Sequence, residues 1–433
     1  MLRTIDLRGR HLGTADLLAA VPRATAARAE ALAAASALVE DVAHRGEDAL
    51  REQADRFDGV TDHAIRVPAH HLTEALDGLE TPVRSALEIA IARVRRASAA
   101  QIPASSAVEL GDGAVVAQRW QPVRRVGVYV PGGKAVYPSS VVMNVVPAQV
   151  AGVGVVALAS PPQREHGGRV HPVVLAAAAL LGVDEVYAMG GAGAIGAFAH
   201  GVATLDLDPV DVVTGPGNNF VAAAKRAVAG LVGTDAEAGA TEILIVADGD
   251  ADADLVAADL VSQAEHDEQA SAVLVTDSEP LADAVRDAVE RRVSVTKHGD
   301  RARAALNGDQ SAIVLTDGLE QSTAFSNAYA PEHLELHLVA PDPTDFVNAG
   351  AIFVGPYSPV SLGDYLAGSN HVLPTGGQAR YAAGLSAATF LRPQQVITYD
   401  RDALEQVRWG IVTLADAEDL PAHGEAVEAR FEA

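Results

Sequence analysis

The sequence predicts an α/β protein whose largely parallel sheets form two similar lobes. Three observations carry that expectation. Between residues 126 and 355, short apolar runs alternate with stretches whose apolar residues recur at three- and four-residue spacing, the sequence form of repeated βαβ units. The predicted strands recur about every thirty residues from 126 and again from 242, which divides the region in two. Of the 433 residues 49% are hydrophobic but only 4% aromatic, so the core rests on small and β-branched side chains, as when helices cover buried parallel strands.

In chain order, Met1 to Arg10 is charged throughout and lacks the apolar core of a secretory signal. From Thr14 to Gln101, Ala, Leu and Val recur with helical spacing between charged residues such as Glu30, Glu40, Arg93 and Arg95, punctuated by Gly46 and Gly59. Strands are predicted at 107–110 and 114–120 around a Gly111-Asp112-Gly113 turn, then at 126–130, 155–159, 185–189 and 210–214. A second series follows at 242–247, 272–276, 311–315, 335–339 and 350–354. Beyond Gly355 the pattern changes to loops at 356–359 and 374–377, a short strand at 396–399, and helices at 401–406 and 415–431. A tail of this length and modest apolar content is expected to pack on a partner subunit. The predicted organisation is a helical amino-terminal region with its hairpin (1–125), two α/β lobes (126–238 and 239–377) and a carboxy-terminal tail (378–433).

Composition excludes several functions. A net charge of −25 opposes binding to nucleic acid or an anionic membrane. The absence of cysteine removes disulfides, thiolate nucleophiles and Cys-based zinc sites, so any metal must be held by His, carboxylate or amide oxygen. The apolar run 141–159 is interrupted by Asn144, Pro147 and Gln149 and reads as a helix and a strand, not a membrane span. The expected compartment is the cytoplasm.

Several constellations could carry chemistry, and each also has an ordinary structural reading. Glu332 and His333 stand side by side behind Pro331; two neighbours share a pocket only where the backbone turns, and together they suit a reaction with more than one proton transfer. Gln263 and His266, three apart near a helix end, share one face and could share a metal, or simply form a polar helix terminus. Asp364 could be a ligand or a helix cap, and His371 a site residue or a loop residue. Glu418 and His423 alone look like a wet helix face. Gly191-Ala-Gly193-Ala-Ile-Gly196 follows a strand and precedes a helix, as a dinucleotide loop does, but the acid expected about twenty residues on is absent. Gly215-Pro-Gly217-Asn218, before a helix containing Lys225, and Tyr129-Val-Pro-Gly-Gly133 are two more glycine turns at strand ends where backbone N–H groups could face an anion. In such folds sites are expected at the carboxyl ends of the strands.

Taken together, these stretches resemble the histidinol dehydrogenases. The match runs from Val126-Gly-Val-Tyr129-Val-Pro-Gly-Gly133 through Gly215-Pro-Gly-Asn218, Ser262-Gln-Ala-Glu-His266, Ala330-Pro-Glu-His-Leu334 and Gly363-Asp-Tyr365 to Asn370-His-Val-Leu-Pro374, and so spans most of the chain. The resemblance implies two lobes of incomplete Rossmann type in an intertwined homodimer, and oxidation of L-histidinol to L-histidine through L-histidinaldehyde, with two successive hydride transfers to NAD. It implies that His333 is the base for the alcohol proton and that Glu332 activates the water that hydrates the aldehyde. Zinc would be held by Gln263, His266, Asp364 and, from the second subunit, His423. Thr241, His371 and Glu418 fall at substrate-contacting positions, as do His333 and the zinc ligands. Tyr129, Gly193 and Asn218 fall where the family contacts NAD. Two departures stand out: the family commonly has Gln where this chain has Gly193, and a Pro-Ser-Glu run where it reads Ala240-Thr241-Glu242, which keeps the hydroxyl.

Overall fold

The amino-terminal residues, too charged to be recognised as a strand, form one. In a computed structural model describing residues 1–23, 28–132, 136–236 and 239–432, β1 (Arg3–Asp6) pairs in parallel with a distant segment, Arg3 opposite Ala312. Its side chains are mostly exposed, so backbone hydrogen bonds hold it and no apolar periodicity announces it. The predicted helical region then follows as α1 (Thr14–Ala20), α2 (Arg28–Arg45), α3 (Glu47–Gln53), α4 (Ala69–Asp77) and α5 (Thr81–Ala99). A π-helical turn, Ala54–Asp58, extends α3 and is closed by Gly59 in the left-handed region at φ 62°.

The hairpin strands β2 (Ser106–Gly111) and β3 (Ala114–Pro122) belong to a separate unit described below. The first lobe follows as β4 (Arg125–Tyr129), α6 (Pro138–Ala151), β5 (Val155–Ser160), α7 (Pro172–Leu180), β6 (Glu185–Ala188), α8 (Gly191–His200), β7 (Val212–Thr214), α9 (Asn219–Ala227) and β8 (Gly233–Thr234). Its sheet is all parallel, in the order β6-β5-β4-β7-β8. The order reverses between β4 and β7, the place where such sheets leave a crevice beyond their carboxyl ends. The core is aliphatic: α2 lays Val39 and Val42 against α8 and α9, around Ala194, Phe198 and Val221. Gly127 admits this packing, since a Cβ there would meet the Phe198 ring at 2.5 Å.

The second lobe contains β9 (Glu242–Ala247), α10 (Ala253–Ala264), β10 (Ser271–Thr276), α11 (Glu279–Val293), α12 (Gly299–Asn307), β11 (Ala312–Leu315), α13 (Leu319–Tyr329), β12 (His333–His337), β13 (Ala351–Val354) and α14 (Val360–Tyr365). Its six strands are all parallel, in the order β1-β11-β10-β9-β12-β13. Alternate residues of β9 enter opposite cores: Ile243 and Ile245 pack with Leu260 and Val285, and Leu244 and Val246 with Phe325 and Leu334. The α/β class and the two parallel lobes are those the sequence predicts. Strand boundaries shift: the strand predicted at 396–399 begins at Leu391, five residues earlier than predicted, and β12 begins at His333, two residues earlier, where Ile243 of β9 supplies a register partner.

A second compact unit comprises Ile102–Pro122 and Leu391–Ala433. Within it β14 (Leu391–Tyr399), β3 and β2 form an antiparallel sheet in that order, with Pro393 on an edge strand, where its missing N–H costs little. The helix α15 (Arg401–Ala417) is continuous across 407–414, where the sequence suggested a break: helical formers outweigh the single Gly410. It packs on α16 (Pro421–Glu428). Val108, Leu110, Ile397, Leu414 and Trp409, the last 74% exposed, leave much of this unit's apolar surface uncovered.

Candidate active site

The helix α13 stops at Ala330, whose left-handed conformation (φ 50°, ψ 68°) breaks the helix just before a proline that cannot continue it. Glu332 lies in the bend that follows, and His333 opens β12. The turn does what a regular strand could not: it brings His333 Nδ1 within 3.5 Å of Glu332 Oε2, with both residues buried. The same carboxylate oxygen accepts the Thr241 hydroxyl at 2.6 Å and the Glu242 N–H at 2.8 Å, and Thr241 Oγ1 accepts the Gln263 amide at 2.6 Å. His333 Nδ1 lies 3.0 Å from the Glu242 carbonyl, to which it donates as the neutral tautomer, leaving the Nε2 lone pair for a proton. Burial pushes the Glu332 carboxyl up from its ordinary pKa; His333 and the donated hydrogen bonds oppose that shift, and Asp364 adds to it.

These groups lie at the amino ends of β9 and β12, not at the carboxyl ends expected of such sheets. The reason is the helices: α10 and α14 both end at this edge, which places Gln263 in the last turn of α10, His266 just beyond it and Asp364 in the last turn of α14. Gln263 is buried, and with its amide donated to Thr241 its carbonyl oxygen has no protein partner among the described residues. His266 directs Nδ1 at the carbonyls of Ser262 and Gln263, at 3.1 and 3.2 Å, and its Nε2 has no hydrogen-bond partner among the described residues. Asp364, where a cap was one reading, lies inside α14 and caps nothing; its carboxylate accepts no hydrogen bond among the described residues. His371 is held by its Nδ1 on the Asp364 carbonyl (2.9 Å) and Nε2 near Ser140 Oγ (3.2 Å); burial lowers its pKa, with Asp364 opposing the shift and His333 and His266 adding to it. An amide oxygen, an imidazole nitrogen and a carboxylate, all unpartnered, are a donor set that fits zinc.

At the carboxyl edge of the first lobe, the Tyr129 hydroxyl accepts the Gly191 N–H at the start of α8 (3.2 Å), and burial pushes its pKa up to about 12. Ser160 and Thr214, closing β5 and β7, are buried hydroxyls without a partner among the described residues. Asn218 caps α9, its Oδ1 accepting from Phe220 and Val221, which leaves its amide N–H groups free. Lys225 is not available to an anion: it is buried on Asp235 (2.5 Å) and the Gly215 carbonyl. The glycine motif lies inside α8, not before it, and Gly193 faces α3, where a Cβ would be 2.4 Å from Gln53 Oε1. Gly133 and Lys134 lie outside the described residues. Glu418 and His423 belong to the second unit, Glu418 just after α15 and His423 in the first turn of α16.

The family model for histidinol dehydrogenase matches residues 21–431. The chain belongs to the histidinol dehydrogenase family. The histidinol dehydrogenase of Leifsonia xyli is 60% identical over 433 residues, covering 100% of this chain and 99% of the relative. That of Nocardia farcinica is 55% identical over 437 residues, covering 100% and 98%. Among solved structures, the crystal structure of the histidinol dehydrogenase from Elizabethkingia anophelis superposes with a TM-score of 0.92 at 31% identity, covering 100% of this chain and 98% of that one. For this member of the family the sequence missed Arg23, whose Nε pairs with buried Glu242 at 2.7 Å and which also reaches the Tyr329 carbonyl. Nothing local marks Arg23, 219 residues from its partner. Also missed was a polar cluster of Glu335, His337 and Asp259, although alternation along β12 places the first two on the face of His333.

Proposed function

We propose that the chain is an NAD-dependent, zinc-requiring L-histidinol dehydrogenase that oxidises L-histidinol to L-histidine through L-histidinaldehyde. The observation that carries the reading is the arrangement around Glu332: a buried carboxylate and an oriented imidazole, beside three donors of metal-binding type without a partner among the described residues. Membership of the family supports the substrate.

In the alcohol step, His333 Nε2 takes the hydroxyl proton while hydride leaves the carbon, and the Glu242 carbonyl steadies the imidazolium through Nδ1–H. Glu332 then removes a proton from water as it adds to the aldehyde carbon, whose oxygen takes back the proton held on His333; His333 accepts a hydroxyl proton of the hydrate as the second hydride leaves, and the resulting acid gives its remaining proton to solvent to become the carboxylate. Thr241 and the Glu242 N–H fix one carboxylate oxygen, leaving Oε1 for the water. Zinc, when bound by Gln263, His266, Asp364 and His423 of the partner subunit, would supply a positive anchor for the substrate's imidazole and amino group. NAD, held at the edge of the 126–238 lobe by Tyr129 and Asn218, would accept hydride at each oxidation. Gly193 enters this reading only through its backbone and through the close packing of α8 on α3. His371 and Glu418 of the partner subunit complete the substrate contacts. The uncovered apolar side chains of the second unit support a homodimer in which the 378–433 tail crosses over. Purified protein given NAD, zinc and L-histidinol should release two NADH per histidine, and a chelator should stop it. No NADH under those conditions overturns the reading.

A further inference from the structure

In dinucleotide-binding lobes a carboxylate at the end of a strand accepts a ribose hydroxyl. The strand β5 ends instead in Ser160-Pro161-Pro162. The fold brings a carboxylate to the same place from elsewhere. Asp58, the last residue of the π-helical turn, directs Oδ2 to within 3.5 Å of where a Gly190 Cβ would stand, and that position is itself 3.1 Å from Pro161 Cβ. The acid therefore stands beside the ends of β5 and β6, next to the glycines that open α8 and close enough to Tyr129 for its charge to act on that hydroxyl.

Asp58 is half-buried, yet its carboxylate has no hydrogen-bond or ion-pair partner among the described residues. Only its backbone carbonyl is engaged, by Arg164 Nε at 3.0 Å. The Tyr129 hydroxyl accepts from Gly191, and its own hydrogen has no acceptor among the described residues. An acceptor without a donor and a donor without an acceptor, facing one glycine turn, are complementary to a hydroxyl group. They are hostile to a phosphate, which brings only acceptors and negative charge to Asp58.

We propose that Asp58 sets the coenzyme preference: it accepts a hydroxyl of the adenosine ribose of NAD and repels the 2′-phosphate of NADP. This rests on the reading of the 126–238 lobe as the NAD lobe, and the test separates the two. NADH and NADPH are titrated by fluorescence against wild type, Asp58→Asn and Asp58→Ser, alongside kcat/KM with NAD and NADP. Neither substitution breaks a hydrogen bond made by the side chain, and Asp58→Asn keeps its shape. Wild type should favour NADH, and both variants should lower the NADH-to-NADPH affinity ratio by about tenfold or more, with NADPH binding strengthened in absolute terms. An unchanged ratio, or equal weakening of both coenzymes, overturns the role of Asp58 while leaving the NAD lobe standing. Failure of wild type to bind NADH overturns both.

Discussion

The surroundings of Glu332 and His333 differ, and under the proposed function that difference suits them to separate tasks. The imidazole is oriented by a backbone carbonyl and the carboxylate by two donors on one oxygen. His333→Ala should slow alcohol oxidation by about 10²–10⁴-fold. Glu332→Gln should chiefly slow the second oxidation, and stopped-flow assays started from L-histidinol and from L-histidinaldehyde distinguish the two. Equal defects from both substrates would refute the division. Burial raises the Glu332 pKa, so the ionised form appears at higher pH than for an ordinary Glu. The rate from the aldehyde should therefore rise with pH along a limb that Glu332→Gln abolishes. Asp58 carries the opposite lesson for stability: burial raises it to about 6, so its stabilising contribution is full below pH 4 and lost as pH climbs toward 6. Melting temperatures of Asp58→Asn should match wild type near pH 3.5 and exceed it at pH 7. Glu332–His333 and Gln263–His266 could be singled out as candidates because adjacency and helical spacing are local properties of sequence. Asp58 and Arg23 could not, since their roles arise from contacts over more than a hundred residues.

Among elements, the strands were the most legible part of the chain, because unbroken Val and Ile runs admit few other readings. What periodicity could not disclose was direction. The pair sits at the amino edge of the second sheet, since the ends of α10 and α14, not the turns after the strands, carry its companions. The segment Asn370–His371 reaches α6 of the first lobe, through Met143 and Ser140. Gly193 illustrates how a motif can mislead. Its spacing suggested a phosphate turn, whereas its position in α8 answers to α3. Gly193→Ala should destabilise by about 1–3 kcal/mol through overpacking on Gln53, measurable by urea unfolding. A denaturation midpoint equal to wild type would show that α3 can yield.

For the molecule as a whole, the unit formed by 102–122 and 391–433 exposes aliphatic and aromatic side chains that a monomer would rarely leave in water. Light scattering should give twice the 44.6 kDa of one chain. Trp409→Glu should shift the population toward monomer and cut activity with it; a fully active monomer would remove His423 and Glu418 from the site. The exposed apolar surface of this unit was not legible in the sequence, because it depends on which side chains the folded unit leaves uncovered. The distant pairing of β1 has a consequence for how the chain is born. Ala312 leaves the ribosome roughly 15–60 s after Arg3 at ordinary rates of synthesis. Through that interval the first lobe is made and free to fold, while the amino terminus waits as an unpaired strand. Its charges, which hid it from prediction, keep such a strand from pairing with a neighbouring nascent chain before its own partner has been translated.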